Sequence, residues 1–253
     1  MNGVLVNITR CVGCGSCAVA CKLYNGLNWD EASPATGEKA ALSAANWTAV
    51  RTYGMERDKQ RVLRFLKKQC LHCLDPACAS ACFAGAFRKT PEGPVVYNER
   101  ICVGCRYCML ACPFSIPKYE WDALFPRVRK CQMCYPRVKE GEMPACTSVC
   151  PTQALKFGKR EELLQEAKAR IAANPNYVNH VYGETEYGGT SWLYISDVPF
   201  EQLGFNMNVS RESVPHWTGR VTKWTLPIAA GWTVILTALY LYTRRRAEAE
   251  EGH

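Results

Sequence analysis

The sequence predicts an α+β fold built on an internal duplication and ending in one transmembrane helix. Three observations predict it. Sixteen cysteines among 253 residues fall into four quartets that repeat along the chain. The composition, 48% apolar and 21% charged, is that of a folded protein and excludes a disordered one. An uncharged run of 20 residues from Trp224 to Thr243 reaches about 30 Å as a helix, the thickness of a hydrocarbon core.

From the N-terminus, Met1 to Arg10 holds neither a twin arginine nor an apolar core, so no export signal is expected ahead of the first motif. Quartet one is Cys11, Cys14, Cys17 and Cys21. Residues 28–69 read as an insertion, with Trp29, Trp47, a turn-rich stretch at Ser33 to Gly37 and some strand near Thr48 to Tyr53. Quartet two is Cys70, Cys73, Cys78 and Cys82, quartet three Cys102, Cys105, Cys108 and Cys112, and quartet four Cys131, Cys134, Cys146 and Cys150. Quartets one and three both read C-x2-C-x2-C-x3-C at an offset of 91 residues, and both open Cys-Val-Gly-Cys. Quartets two and four open C-x2-C and close C-x3-C around gaps of four and eleven residues.

Beyond the quartets, Arg160 to Ala173 sets Leu163, Leu164, Ala167 and Ile171 on one helical face, with Glu166 and Arg170 at i, i+4, and Asn174-Pro175 stops the helix. Tyr187 to Thr190 reads as a turn and Trp192 to Ile195 as a short apolar strand. Residues 204–222 read as a tether, 223–243 as the membrane helix and 244–253 as a tail. Pro227 is expected in the first turn of that helix, with Trp224, Tyr240 and Tyr242 near the interfaces.

Three closely spaced cysteines followed by C-x3-C-P form the signature of bacterial two-cluster ferredoxins, in which three thiolates hold one iron-sulfur cube and the fourth crosses to another. Cys102 to Cys112 with Pro113 matches it in full. No quartet has lost a cysteine, so four [4Fe-4S] clusters are expected. The fold class is then two bacterial-ferredoxin-like modules with insertions, plus one C-terminal transmembrane helix. Zinc is the competing reading of C-x2-C pairs, but zinc sites require no closing C-x3-C. Disulfides fit worse, because repeated x2 spacings give poor bridge geometry and no cysteine is left over. His72, inside quartet two, is expected to support the site or to face solvent, and His216, beside Trp217, to be an interfacial side chain.

The formal charge of +8 would suggest an acidic partner, but sixteen thiolates around four cubane cores contribute about −8. No nucleic-acid partner is therefore expected. The sequence holds no Gly-rich phosphate loop, no Ser/His/Asp pattern and no paired carboxylates beside a base. A non-catalytic electron-transfer subunit of an oxidoreductase complex is the expectation.

The quartets, with Cys70-Leu71-His72-Cys73-Leu74-Asp75-Pro76-Ala77-Cys78, Cys112-Pro113-Phe114-Ser115-Ile116-Pro117-Lys118-Tyr119, Gly188-Gly189-Thr190 and Leu193-Tyr194-Ile195-Ser196, resemble the four-cluster iron-sulfur electron-transfer (beta) subunits of the complex iron-sulfur molybdoenzyme group. The resemblance runs from about residue 4 to residue 203. A single C-terminal membrane helix is most like the formate dehydrogenase beta subunit or the membrane-bound hydrogenase iron-sulfur subunit. The hydrogenase type commonly carries its own twin-arginine signal, which tilts the resemblance toward formate dehydrogenase. The C-terminal region here is shorter than the family's, and the insertion at 28–69 differs.

The duplication alone leaves two ways to pair the quartets. The resemblance implies that one and four make one module and two and three the other. It implies Cys11, Cys14, Cys17 and Cys150 at a first cluster, and Cys70, Cys73, Cys78 and Cys112 at a second. Cys102, Cys105, Cys108 and Cys82 would hold a third, and Cys131, Cys134, Cys146 and Cys21 a fourth. Module A then occupies 1–27 and 113–160, module B 70–112, and a helix and strand extension 161–203. The implied partners are a catalytic subunit (a molybdopterin oxidoreductase, or hydrogenase large and small subunits), a quinone-interacting membrane subunit and the lipid bilayer.

Orientation is not set by charge, since Arg211, Arg220 and Lys223 balance Arg244, Arg245 and Arg246 across the helix. The resemblance puts the ferredoxin domain on the periplasmic side of the cytoplasmic membrane, exported with a signal-bearing partner. A cytoplasm-facing oxidoreductase and a zinc-stabilised membrane adaptor are the competing readings. Complete quartets predict about sixteen iron and sixteen acid-labile sulfide per chain. Metal and sulfide analysis checks this, and stoichiometric zinc with little iron would contradict it.

Overall fold

A computed structural model of the chain describes residues 1–29, 33–57 and 60–251. Residues 30–32 and 58–59 of the expected insertion and 252–253 of the expected tail lie outside them. In chain order the elements are β1 (Asn2–Asn7), α1 (Ser16–Asn25), β2 (Thr36–Gly37), β3 (Ala49–Arg57), β4 (Gln60–Lys68), α2 (Ala77–Ser80), β5 (Phe87–Lys89), β6 (Val95–Tyr97), α3 (Tyr107–Ala111), β7 (Lys118–Tyr119), β8 (Val128–Arg129), α4 (Tyr135–Lys139), α5 (Ala145–Ser148), β9 (Leu155–Lys159), α6 (Arg160–Ala173), β10 (Trp192–Ile195) and α7 (Val214–Glu251). The fold is mixed α/β, and it divides into one unit ending at Ser213 and a second beginning at Val214.

Val4, Leu5 and Val6 are all buried, so β1 is an apolar run covered on both faces. It is the middle strand of the sheet β10-β1-β9, parallel to β10 and antiparallel to β9. Val4 and Val6 pack on one side with Trp192 and Tyr194. Leu5, on the other side, meets Leu163 and Ala167 of α6. That helix occupies the span expected from the sequence, and Arg170 reaches Glu166 at 2.6 Å.

The duplication is repeated in the strand pairing. The strand before quartet one pairs with the strand after quartet four, β1 with β9, and Asn7 N–H donates to Ala154 O at 2.8 Å. Likewise β6, before quartet three, pairs with β5, after quartet two, and Asn98 N–H donates to Ala86 O at 2.8 Å. Helix α1 packs on α5, and α2 on α3.

The strand expected near Thr48 to Tyr53 is part of a longer hairpin, β3 paired antiparallel with β4, with β2 beside it. Arg64 of β4 forks onto Asp197, with Nε 2.8 Å from Oδ1, and Leu66 is buried in the core with Val6 and Tyr194. The hairpin β7-β8 falls within residues 113–160, expected in module A, and its Val128 and Tyr119 pack with Cys78, Cys108 and Phe87.

In the second unit, α7 begins at Val214, inside the segment expected as a tether, so Pro227 lies in the helix interior and not in its first turn. A proline there removes one backbone hydrogen bond, a cost that spanning helices tolerate when other groups take up the freed carbonyl. Thr233 Oγ1 donates to Ala229 O at 2.9 Å and Thr237 Oγ1 to Thr233 O at 2.7 Å, so these hydroxyls are satisfied within the helix. Residues 214–247 are long and apolar enough to cross a membrane, and none of the apolar stretch is buried within the chain. Ending the chain at Ser213 should therefore leave the remainder in the soluble fraction when its partners are not expressed. Persistence in carbonate-washed membranes would contradict the anchor.

Candidate iron-sulfur centres

Three of the four opening C-x2-C loops turn an amide back onto their own first sulfur. Met133 N–H donates to Cys131 Sγ at 3.3 Å and Gly104 N–H to Cys102 Sγ at 3.4 Å, and the Gly13 amide does the same for Cys11. The bend takes a left-handed residue two after the first cysteine: Gly13 (φ 70°), His72 (50°), Gly104 (71°) and Met133 (54°). Such a residue costs about 1–2 kcal/mol unless it is glycine. Ahead of quartets one and three, Asn7 Oδ1 accepts from Thr9 N–H at 3.1 Å and Asn98 Oδ1 from Arg100 N–H at 3.0 Å. The 91-residue offset thus extends to a pair of capping asparagines, a signal present in the sequence that attention to cysteine alone passes over.

The closing C-x3-C segments end in a common turn. Gly85, Ser115 and Gln153 are left-handed, and their amides donate to the carbonyls of Cys82, Cys112 and Cys150 at 2.9, 3.0 and 3.2 Å. Quartet one departs from this because Cys21 lies within α1, where Asn25 Nδ2 donates to its sulfur at 3.6 Å.

The fold brings together cysteines from different quartets. One cavity is lined by Cys11, Cys14, Cys17 and Cys150, and another by Cys70, Cys73, Cys78 and Cys112. The Cys108 thiol is pushed up to about 12, by burial first and then by the sulfurs of Cys102, Cys105 and Cys82. Burial and then the Cys146 and Cys21 sulfurs push Cys134 up to about 11, against the Ala145 amide. Each group draws on one quartet and on a cysteine of another, from quartets one and four or from two and three. Packing contacts link the groups in series. Cys17 and Cys150 of the first site pack with Cys146 of the fourth, Cys21 and Cys131 of the fourth with Cys70 of the second, and Cys78 of the second with Cys108, Cys102 and Cys82 of the third. The contacts run from the first group to the fourth, from the fourth to the second and from the second to the third.

Burial also lifts Cys17 and Cys78 to about 12 and holds Cys73 and Cys131 well above the ordinary range. Exposed Cys14 is lowered instead, by hydrogen bonds from Ser16. Thiols this deep ionise only beside strong positive charge, which cluster iron would supply. The residues present fit that group. The donors are all sulfur, and amides are directed at them. His72 is fully buried, which excludes the solvent-facing alternative. Its Nδ1 accepts from Val95 N–H at 2.8 Å, so Nε2 carries the proton, and Nε2 finds no partner among the described residues.

Interleaved cysteine quartets of this kind define an iron-sulfur electron-transfer protein. A model of the 4Fe-4S dicluster domain matches residues 61–160. The chain is 43% identical to a protein of Nitratidesulfovibrio vulgaris over 98% of this chain and 69% of that one. It is 34% identical to the hydrogenase-2 operon protein HybA of Escherichia coli over 92% and 83%, and 33% identical to the formate dehydrogenase-O iron-sulfur subunit of Escherichia coli over 98% and 86%. The chain belongs to the 4Fe-4S family that contains the formate dehydrogenase iron-sulfur subunits and HybA.

The two glycines of the duplicated loop carry unequal constraints. A Cβ on Gly13 would stand 2.3 Å from the Phe65 ring, whereas on Gly104 it would meet the end of the Tyr119 side chain at 3.1 Å. Gly104→Ala should cost about 1–2 kcal/mol, the left-handed penalty alone, and Gly13→Ala about 3 kcal/mol or more. Thermal unfolding of the cluster-loaded chain measures the difference, and equal losses would contradict it.

Proposed function

We propose that the chain relays single electrons through four [4Fe-4S] clusters, held by the groupings described above, between a catalytic subunit and a quinone-linked membrane subunit. When bound, the clusters supply the one-electron chemistry. The chain's own residues fix their order, exclude water from the inner sites and offer two ends. The observation that carries this reading is the distribution of exposure along the row. Cys14 of the first site and Cys105 of the third are exposed, whereas Cys21, Cys131 and Cys146 of the fourth and Cys70 and Cys78 of the second are buried. Exposed apolar side chains surround both ends, Val12, Val19 and Leu23 near the first site and Val103, Tyr107 and Leu110 near the third, as subunit contacts require.

Two ferredoxin-like modules account for the strand pairing: module A from the segments around quartets one and four, module B from those around two and three with the β7-β8 hairpin added. The apolar helix anchors the chain. The ferredoxin part then lies on the periplasmic side, where an exported partner would carry it, with Arg244 to Arg246 on the cytoplasmic side. A molybdopterin dehydrogenase is the catalytic partner that the likeness to formate dehydrogenase-O supports. The similar likeness to HybA favours a hydrogenase as the second reading.

In the complex purified from detergent-solubilised membranes, Cys14→Ser and Cys150→Ser should change one and the same EPR signal, distinct from that changed by Cys105→Ser. If Cys150→Ser changes the Cys134→Ser signal instead, the grouping is wrong. Molybdenum in the co-purified complex supports the dehydrogenase partner, and nickel the hydrogenase.

A further inference from the structure

Lys67 lies near the end of β4, where it is 2% exposed. Its Nζ donates to Thr48 Oγ1 at 3.2 Å and to Gln69 Oε1 at 2.9 Å, and stands 4.6 Å from the centroid of the Trp192 ring. These oxygens are neutral, and among the described residues no carboxylate is within ion-pairing distance of it. An ammonium in that position is costly unless something else balances it. What surrounds it is sulfur. Lys67 lines the cavity of Cys11, Cys14, Cys17 and Cys150. Its charge also acts on Cys21, Cys131 and Cys134 of the fourth site, and Thr48 hydrogen bonds to the Cys21 thiol.

We propose that Lys67 is a fixed positive charge shared by the first and fourth sites, and that it raises the reduction potentials of both together. The proposal rests on the cluster reading above. One electron added to either cluster adds one negative charge near the ammonium, in an interior where solvent does little to screen the attraction. The reduced form is therefore stabilised relative to the oxidised one. A different pair of lysines stands against the second site. Lys130 lines its cavity and donates to Val95 O at 2.5 Å, and Lys89 donates to His72 O at 2.9 Å. Lys67 thus stands against the first cavity, and Lys130 against the second.

The test is EPR-monitored potentiometric titration of the full chain in its membrane complex, with signals assigned through Cys14→Ser, Cys134→Ser and Cys105→Ser. Lys67→Gln removes the charge and keeps a donor. It should lower the midpoints of the first and fourth sites by a tenfold or greater change in the one-electron equilibrium, about 59 mV, and leave the third site unmoved. Four intact signals with unmoved first and fourth midpoints overturn the proposal, as does an equal shift at all four sites. If Lys67→Gln loads no clusters, Gln69→Glu decides, because it sets a carboxylate against the ammonium at nearly unchanged volume. The same two midpoints should fall, and unmoved values again overturn the proposal. A native chain without iron would instead sink the cluster reading itself.

Discussion

A sulfur anion in a dry interior has to be matched by positive charge, and this chain is arranged around sixteen sulfurs. The matching comes at three levels. Iron would supply the largest share at each proposed site. Backbone amides supply partial charges at short range, from Gly104 to Cys102 and from Met133 to Cys131, and the left-handed bends of the C-x2-C loops exist to aim them. Lysine supplies whole charges at longer range. Lys67 and Lys130 are buried with neutral oxygen partners, a placement that would be strongly unfavourable in a chain without anionic clusters. The formal excess of +8 is thus partly an interior charge.

The grouping of cysteines has a consequence for the chain's continuity. In the proposed grouping, residues 11–21 and 131–150 complete one another's sites across more than a hundred positions, and the segments that complete the second and third sites lie between them. Neither half of the outer pair can finish a site alone. Loop closure over such a length is entropically costly, and cluster binding in a metalloprotein is itself folding free energy. The sheet β10-β1-β9 supports the arrangement, tying Asn7 to Ala154 through a hydrogen bond that involves no sulfur.

What could be read from the sequence was what is periodic or compositional. The quartets, the helix at Arg160 to Ala173, the strand at Trp192 to Ile195 and the long apolar helix each carry a local pattern, and each is present. What could not be read depends on contacts between distant segments. The β3-β4 hairpin appeared only as a short strand, because its alternation is mixed with charges such as Arg51, Arg61 and Arg64. The contacts of the hairpin β7-β8 are another case: Val128 and Tyr119 pack on Cys78 and Cys108, which no spacing encodes. The start of α7 was missed by nine residues, since Val214 to Lys223 is polar enough to look like a linker. Lys67 was invisible as a site residue: a lysine three positions before a cysteine has no signature until the fold turns it inward.

Duplication also created a difficulty for function, which the two copies resolve differently. Val12 and Val103, like Val19 and Leu110, stand at equivalent positions under the 91-residue offset and are exposed at the two ends of the row. Left alone, these would be two similar surfaces, yet an electron relay has to tell two partners apart. The difference begins at Gly15 and its counterpart Arg106. Both are left-handed, at φ 75° and 62°, so the arginine accepts a strain that the glycine avoids. Its guanidinium stands 5.1 Å from the centroid of the Trp121 ring and 5.6 Å from that of Tyr119. Beyond these rings the same hairpin exposes Leu124 and Phe125. The end at the third site therefore carries a cationic, aromatic surface, while at the first site Gly15 leaves room for Thr36 at the close approach its missing Cβ allows. One residue exchanged between two copies of a loop is enough to start that divergence, because in a left-handed position only glycine is neutral and any other side chain has to be held by what it contacts.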